Sequence, residues 1–244
     1  FNPNHFHYNW HWFWDFSGGD IINDGVHQID AARFLINKPY PEAVWCSGGK
    51  LAYDDATAIL TGDALQSLAF EILVPADAGL VPPARRLRMV AVLAGAAGSR
   101  GMVGGQVLDL AGENKSLDLE ALRTVHRAKT GALITAAVVM GGLAAPDTDE
   151  HTLDAYRRFG TEIGTAFQIV DDVLDETGNT ATLGKRTGAD REAGKSTYPA
   201  AIGLAESRRL SREHHRKALE ALKRIPTDTT LLREIATLVI ERTS

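Results

Sequence analysis

Between residues 149 and 175, apolar side chains recur three and four places apart: Leu153, Tyr156, Phe159, Ile163, Phe167, Val170 and Leu174. That spacing draws one stripe along a helix and does not divide into the two faces of a strand. A stripe of this length must be covered by other helices. Stretches with the same spacing run over 63–73, 83–97, 117–143, 207–223 and 230–241, with breaks at Pro75, Pro82-Pro83, Pro146 and Pro226. No strand-like alternation follows residue 51, so residues 51–244 are expected to form an all-α bundle.

The first fifty residues differ in kind. They hold all four Trp and most of the aromatic residues, whereas the remainder is rich in Ala, Leu, Gly and Thr. His7 to Trp14 alternates as a strand, Ser17-Gly18-Gly19-Asp20 reads as a turn, and a short helix from Gly25 ends at Asn37-Lys38-Pro39. A short α+β fragment over 1–50 preceding the helical domain over 51–244 is therefore expected. The chain starts Phe1-Asn2-Pro3 without an initiating Met, which reads as a truncated piece.

Bulk composition excludes some functions. A net charge of -5 gives no reason to expect nucleic acid or an anionic membrane surface as partner. No apolar run reaches the roughly 18 residues of a spanning helix, and no secretory signal is visible. The single cysteine, Cys46, rules out an internal disulfide and fits a cytoplasmic protein.

The sharpest chemical feature closes the long stripe: Asp171-Asp172-Val173-Leu174-Asp175. Positions four apart on a helix differ by about 40° and roughly 6 Å, so Asp171 and Asp175 project from one face. Three carboxylates there repel one another beside the negative end of the helix dipole, an unfavourable arrangement unless a cation is bound. Oxygen ligands of this kind suit Mg²⁺; a solvated acidic helix end is the alternative. Beyond lies a glycine-rich loop bearing Lys185 and Lys195, fit to close over a diphosphate or merely solvated. Upstream, Lys129 and Thr130 interrupt a mostly apolar helix, Gln106 and Asp109 share one helical face, and Gln168 lies one turn before Asp172. Each has a bland explanation as a satisfied interhelical hydrogen bond; together they outline one polar site inside a bundle.

These residues resemble a known family. Tyr53-Asp54-Asp55 with the following residues to Gln66, Gly104-Gly105-Gln106-Val107-Leu108-Asp109-Leu110, Lys129-Thr130-Gly131, Phe167-Gln168 through Asp175, Leu183-Gly184-Lys185 and Gly194-Lys195-Ser196-Thr197-Tyr198-Pro199 are similar to bacterial farnesyl diphosphate synthases. The resemblance implies an isoprenoid synthase-type helical bundle, a homodimer, and condensation of isopentenyl diphosphate with an allylic diphosphate. By that resemblance Asp171, Asp172 and Asp175 hold Mg²⁺, and Lys129, Lys185, Lys195 and Gln106 bind substrate diphosphate. Thr130 and Gln168 stand beside the developing carbocation, so Lys129, Thr130 and Gln168 are the expected catalytic residues.

The family's first aspartate-rich motif and its Arg pair are missing from 1–50, so impaired activity is expected; a non-catalytic helical partner of a complete synthase is the alternative. The first segment instead resembles part of the C-terminal domain of glucose–fructose oxidoreductase-type dehydrogenases, carried by His11-Trp12-Phe13-Trp14-Asp15 and 18–30, with Asp24 and His27 at that family's substrate pocket. The nucleotide-binding half of that family is absent, so no sugar oxidoreductase activity is expected. A chimera joined near residue 50 is the resulting expectation.

Overall fold

The computed structural model describes residues 55–74, 81–177 and 195–242. All regular structure among them is helical: α1 (Asp55–Leu73), α2 (Pro83–Ala97), α3 (Met102–Gly112), α4 (Leu119–His126), a π-helical turn (Arg127–Gly131), α5 (Ala132–Ala144), α6 (Glu150–Thr177), α7 (Tyr198–Ile202), α8 (Leu204–Leu222) and α9 (Thr230–Glu241). The all-α expectation for this part holds. The α+β reading of 1–50 and the loop around Lys185 lie outside the described residues. The chain divides into two compact units, Phe1–Leu87 and Arg88–Ser244. In the first, the described part is α1 and the start of α2. No helix among the described residues is long and apolar enough to cross a membrane.

Local chemistry sets the helix ends. Asp118 caps α4, its carboxylate accepting from Ala121 N at 2.8 Å. Asp149 does the same before α6, accepting from Thr152 N at 2.8 Å. Each satisfies a backbone donor that the first turn leaves without an intrahelical partner. Gly203, at φ 82°, turns the chain from α7 into α8, a backbone state that residues with a Cβ avoid.

The stripe on α6 is wider than its spacing suggests. Leu153, Phe159, Ile163 and Val170 are buried as expected, but so are Ala155, Gly160, Gly164, Ala166, Ile169 and Val173. The reason is that α6 is packed from two sides, by α5 and by α8. Toward α8 and α9, Ala155, Phe159, Ile163 and Ala166 join Ala218, Ala221, Leu222, Ile225 and Ala236 in one apolar cluster. Burying Phe159 alone is worth about 1.5–3 kcal/mol. Toward α5 the contact is made by glycines, since a Cβ on Gly160 would lie 2.7 Å from Thr135 Cα and one on Gly164 3.2 Å from Gly131 Cα. Backbones therefore approach closely at this crossing.

The helix expected over 117–143 is real but irregular. It begins after the Asp118 cap and widens into the π turn at 127–131 before continuing as α5. Such bulges are frequent at functional sites. Here it coincides with the polar Lys129-Thr130 pair. A Cβ on Gly105 would lie 2.2 Å from Lys129 N, so α3 runs directly against the turn.

The glycine contact with α5 gives a stability test. Gly160→Ala forces a methyl group against backbone that has no rotamer to yield, a cost of about 1–3 kcal/mol. The gain in helix propensity offsets up to about 1 kcal/mol of it. Gly95→Ala in α2, where nothing lies within 4 Å, is the control. Urea unfolding should show Gly160→Ala destabilised and Gly95→Ala unchanged or more stable.

Candidate functional site

Asp172 is 3% exposed, on the buried side of α6, where, Thr152 apart, the other buried residues are apolar or glycine. A buried carboxylate is tolerated only when hydrogen bonds replace its lost water. Asp172 Oδ1 accepts from Gln168 Nε2 at 2.9 Å, and Oδ2 accepts from the backbone N–H of Tyr198 at 2.9 Å. Gln168 sits one turn earlier on α6. Because its NH₂ must face the carboxylate, its Oε1 faces the other way and accepts from the Thr130 hydroxyl at 3.1 Å. One chain of hydrogen bonds thus runs from the π turn, through α6, to the first residue of α7.

The same π turn carries Lys129 in the opposite role. Its Nζ donates to Asp109 Oδ2 on α3 at 2.6 Å. Lys195 Nζ approaches that oxygen to 3.7 Å. Lys195 is positioned by its neighbour, since the Ser196 hydroxyl donates to Lys115 O at 2.9 Å and accepts from Leu117 N at 3.0 Å. Burial works against the charge of Asp109. The hydrogen bond from Lys129, with the charges of Lys129 and Lys195, nevertheless holds its carboxyl below the usual range. Two lysines from distant parts of the chain therefore converge on one carboxylate, an excess of positive charge at this point.

His126, just before the π turn, is kept neutral. Burial pushes its pKa down to about 4; Lys129 and Lys195 add to the effect and Asp109 opposes it. Its Nδ1 is buried without a hydrogen-bond partner among the described residues. Its ring lies 5.4 Å from that of Tyr198, centroid to centroid. Burial pushes the Tyr198 phenol up to about 12, Arg123 opposing and the charge of Asp172 adding.

Asp171 and Asp175 occupy the other side of the acidic helix end. The Asp171 side chain is 43% exposed, with Arg242 Nη2 at 3.5 Å from its Oδ1, and Asp175 is partly exposed. Two accessible carboxylates one turn apart fit Mg²⁺, which takes one or two carboxylates and keeps several waters. Among the described residues, no group of three or more His, Cys, Asp or Glu side chains converges as a metal cage. Asp172 stands apart from its two neighbours, turned inward with both oxygens accepting hydrogen bonds.

The structure thus brings together Lys129, Thr130, Gln168, Asp172 and Lys195 of the expected site. Asp171 and Asp175 lie at its acidic edge. Gln106 shares α3 with Asp109 but makes no side-chain hydrogen bond among the described residues. Lys185 lies outside them. Three participants had no sequence signal: the Tyr198 amide, because any non-proline residue has one; His126 as a neutral wall; and Arg242, far along the chain.

Residues 44–239 match the polyprenyl synthetase family. The chain is 48% identical over 193 residues to farnesyl diphosphate synthase of Escherichia coli, covering 78% of this chain and 64% of that protein. It is 40% identical over 205 residues to a chloroplastic geranylgeranyl pyrophosphate synthase of Arabidopsis thaliana, covering 83% and 54%. The crystal structure of a Helicobacter pylori geranyltransferase complexed with magnesium and isoprenyl diphosphate superposes with a TM-score of 0.67 at 28% identity, over 91% of this chain and 76% of that one. The chain spans less than two thirds of the length of these two curated relatives. The family match also takes in residues 44–50, which the composition shift had assigned to the first segment. None of these similarities supports a dehydrogenase-like origin for residues 1–50, nor the chimera built on it.

The neutral His126 predicts a pH dependence. Its folded pKa, about 4, lies below its ordinary value of 6.5, so the fold favours the unprotonated ring. The associated stability is complete above about pH 6.5 and is lost as the pH falls toward 4. Urea unfolding at pH 7 and pH 5 should show a smaller difference in His126→Gln than in the parent chain. His215, also lowered by burial, keeps part of the slope.

Proposed function

The chain belongs to the polyprenyl synthetase family, and from that membership we propose that it joins isopentenyl diphosphate to an allylic diphosphate such as dimethylallyl or geranyl diphosphate. The product is a short-chain prenyl diphosphate of the farnesyl type. The observation that carries this reading is the convergence of Lys129 and Lys195 on Asp109, tied through Thr130 and Gln168 to the acidic end of α6.

Asp171 and Asp175 would hold Mg²⁺, an ion with which a related geranyltransferase has been solved; when bound, it would neutralise the diphosphate that departs. Asp172 is a positioning residue, spending its oxygens on Gln168 and Tyr198. Lys129 and Lys195 bind the leaving diphosphate together with Lys185, which lies outside the described residues, and Gln106 on α3. Their charge is worth most as negative charge accumulates on the leaving group. Preorganised cations need no rearrangement at that moment, and Asp109 keeps both lysines in place beforehand. Thr130 and Gln168 present oxygens, each with a lone pair not used in the hydrogen bond between them, toward the positive charge left on the allylic carbon.

A homodimer is proposed as the assembly. Val103, Val107 and Leu110, at helical spacing on α3, form an exposed apolar face suited to a second copy. The place of action is the cytoplasm, in keeping with the single cysteine.

Calorimetric titration with inorganic pyrophosphate in Mg²⁺ tests the reading. The parent chain should bind, and Lys129→Ala and Asp171→Ala should each weaken binding by about tenfold or more. That figure follows from about 1.5–3 kcal/mol for a hydrogen bond to a charged group. Binding that ignores both substitutions, or does not need Mg²⁺, contradicts it.

A further inference from the structure

Arg242 follows α9, where its backbone N–H donates to Leu238 O and caps the helix. Its side chain reaches back to α6. The guanidinium lies 4.0 Å from the centroid of the Phe167 ring, and Nη2 donates to Phe167 O at 2.9 Å. That carbonyl lies one turn before Asp171. The same Nη2 stands 3.5 Å from Asp171 Oδ1, and the side chain is only 18% exposed. Its Nε is buried with no hydrogen-bond partner among the described residues.

These contacts are unequal. The ring and the carbonyl hold the guanidinium firmly, while the carboxylate is reached at the limit of hydrogen-bond distance. A cation can therefore take Asp171 without displacing Arg242. It must still sit beside a fixed positive charge that has nowhere to move. Because guanidinium stays protonated under all ordinary conditions, that repulsion is always present. It falls on a bare divalent ion more heavily than on the same ion carrying a diphosphate, whose negative charge reverses the sign of the interaction.

We propose that Arg242 is a positioning residue that orders loading of the site, opposing metal alone at Asp171 and favouring metal together with diphosphate. The inference rests on the proposed function and deepens it. It assigns to the end of the C-terminal helix a part in selecting the form in which the metal arrives.

Binding of Mn²⁺, followed by electron paramagnetic resonance on the whole chain with and without inorganic pyrophosphate, reads this out directly. Arg242→Gln should bind Mn²⁺ alone roughly three- to tenfold more tightly than the parent chain, for loss of one nearby charge in a partly hydrated site. Pyrophosphate should then tighten Mn²⁺ binding less than it does in the parent. Arg242→Lys, which keeps the charge, should stay near the parent. Phe167→Leu removes the ring beneath the guanidinium and should shift binding as Arg242→Gln does, by a smaller factor; it serves if Arg242→Gln does not fold. Mn²⁺ affinity equal to or weaker than the parent in Arg242→Gln, at unchanged melting temperature, overturns the proposal. A parent chain that binds no Mn²⁺ even with pyrophosphate overturns the proposed function itself, and this inference with it.

Discussion

The carboxylate of Asp172 is buried, and the rest of the site is arranged by what that burial requires. An ionised oxygen pair removed from water needs donors placed on it with good geometry, or the cost of desolvation is not recovered. Two of the donors lie among the described residues: Gln168, one turn earlier on the same helix, and the main chain of Tyr198, across the bundle. The first fixes the orientation of the amide that faces Thr130. The second anchors the start of α7, and with it the segment that carries Lys195 and Ser196. One buried carboxylate thus links the π turn, the long central helix and the start of α7.

Around that link, charge is distributed unevenly. Lys129 and Lys195 share Asp109, which leaves positive charge in excess at the π turn. The acidic end of α6 keeps Asp171 and Asp175 partly exposed, with Arg242 as the cation nearest Asp171 among the described contacts. A polar site inside an apolar bundle is costly unless its members satisfy one another. Lys129, Thr130, Gln168 and Asp172 meet that condition, whereas His126 Nδ1 and Arg242 Nε are buried without a partner among the described residues. The close glycine contacts at Gly105 and Gly160 belong to the same design, because they let backbones approach where side chains would hold the helices apart.

Much of this was legible in the residues. The stripe from Leu153 to Leu174 announced the central helix, and the spacing of Asp171 and Asp175 placed two acids on one face. Polar residues within apolar helices, Lys129, Thr130 and Gln168, marked the site, since such groups are not buried without partners. What stayed hidden depends on long-range geometry. The identical chemistry of Asp171 and Asp172 conceals that one faces outward and the other inward, and only the position of Tyr198 N–H separates them. The π turn adds no sequence signature beyond the polar pair it displays. Arg242 reads as an ordinary charge near a helix end until α9 is packed beside Phe167. The family match runs over residues 44–239, and the aromatic-rich stretch before it gains no support for a second family from any of the similarities.

The most direct test is a crystal structure of the whole chain with Mn²⁺ and inorganic pyrophosphate, the ion located by its anomalous scattering. The account predicts the ion bound to Asp171, with Asp175 beside it. Asp172 should remain turned inward on Gln168 and the Tyr198 amide, and Lys129 and Lys195 should lie against the pyrophosphate. An ion bound directly by Asp172, with the hydrogen bond to Tyr198 broken, would contradict it.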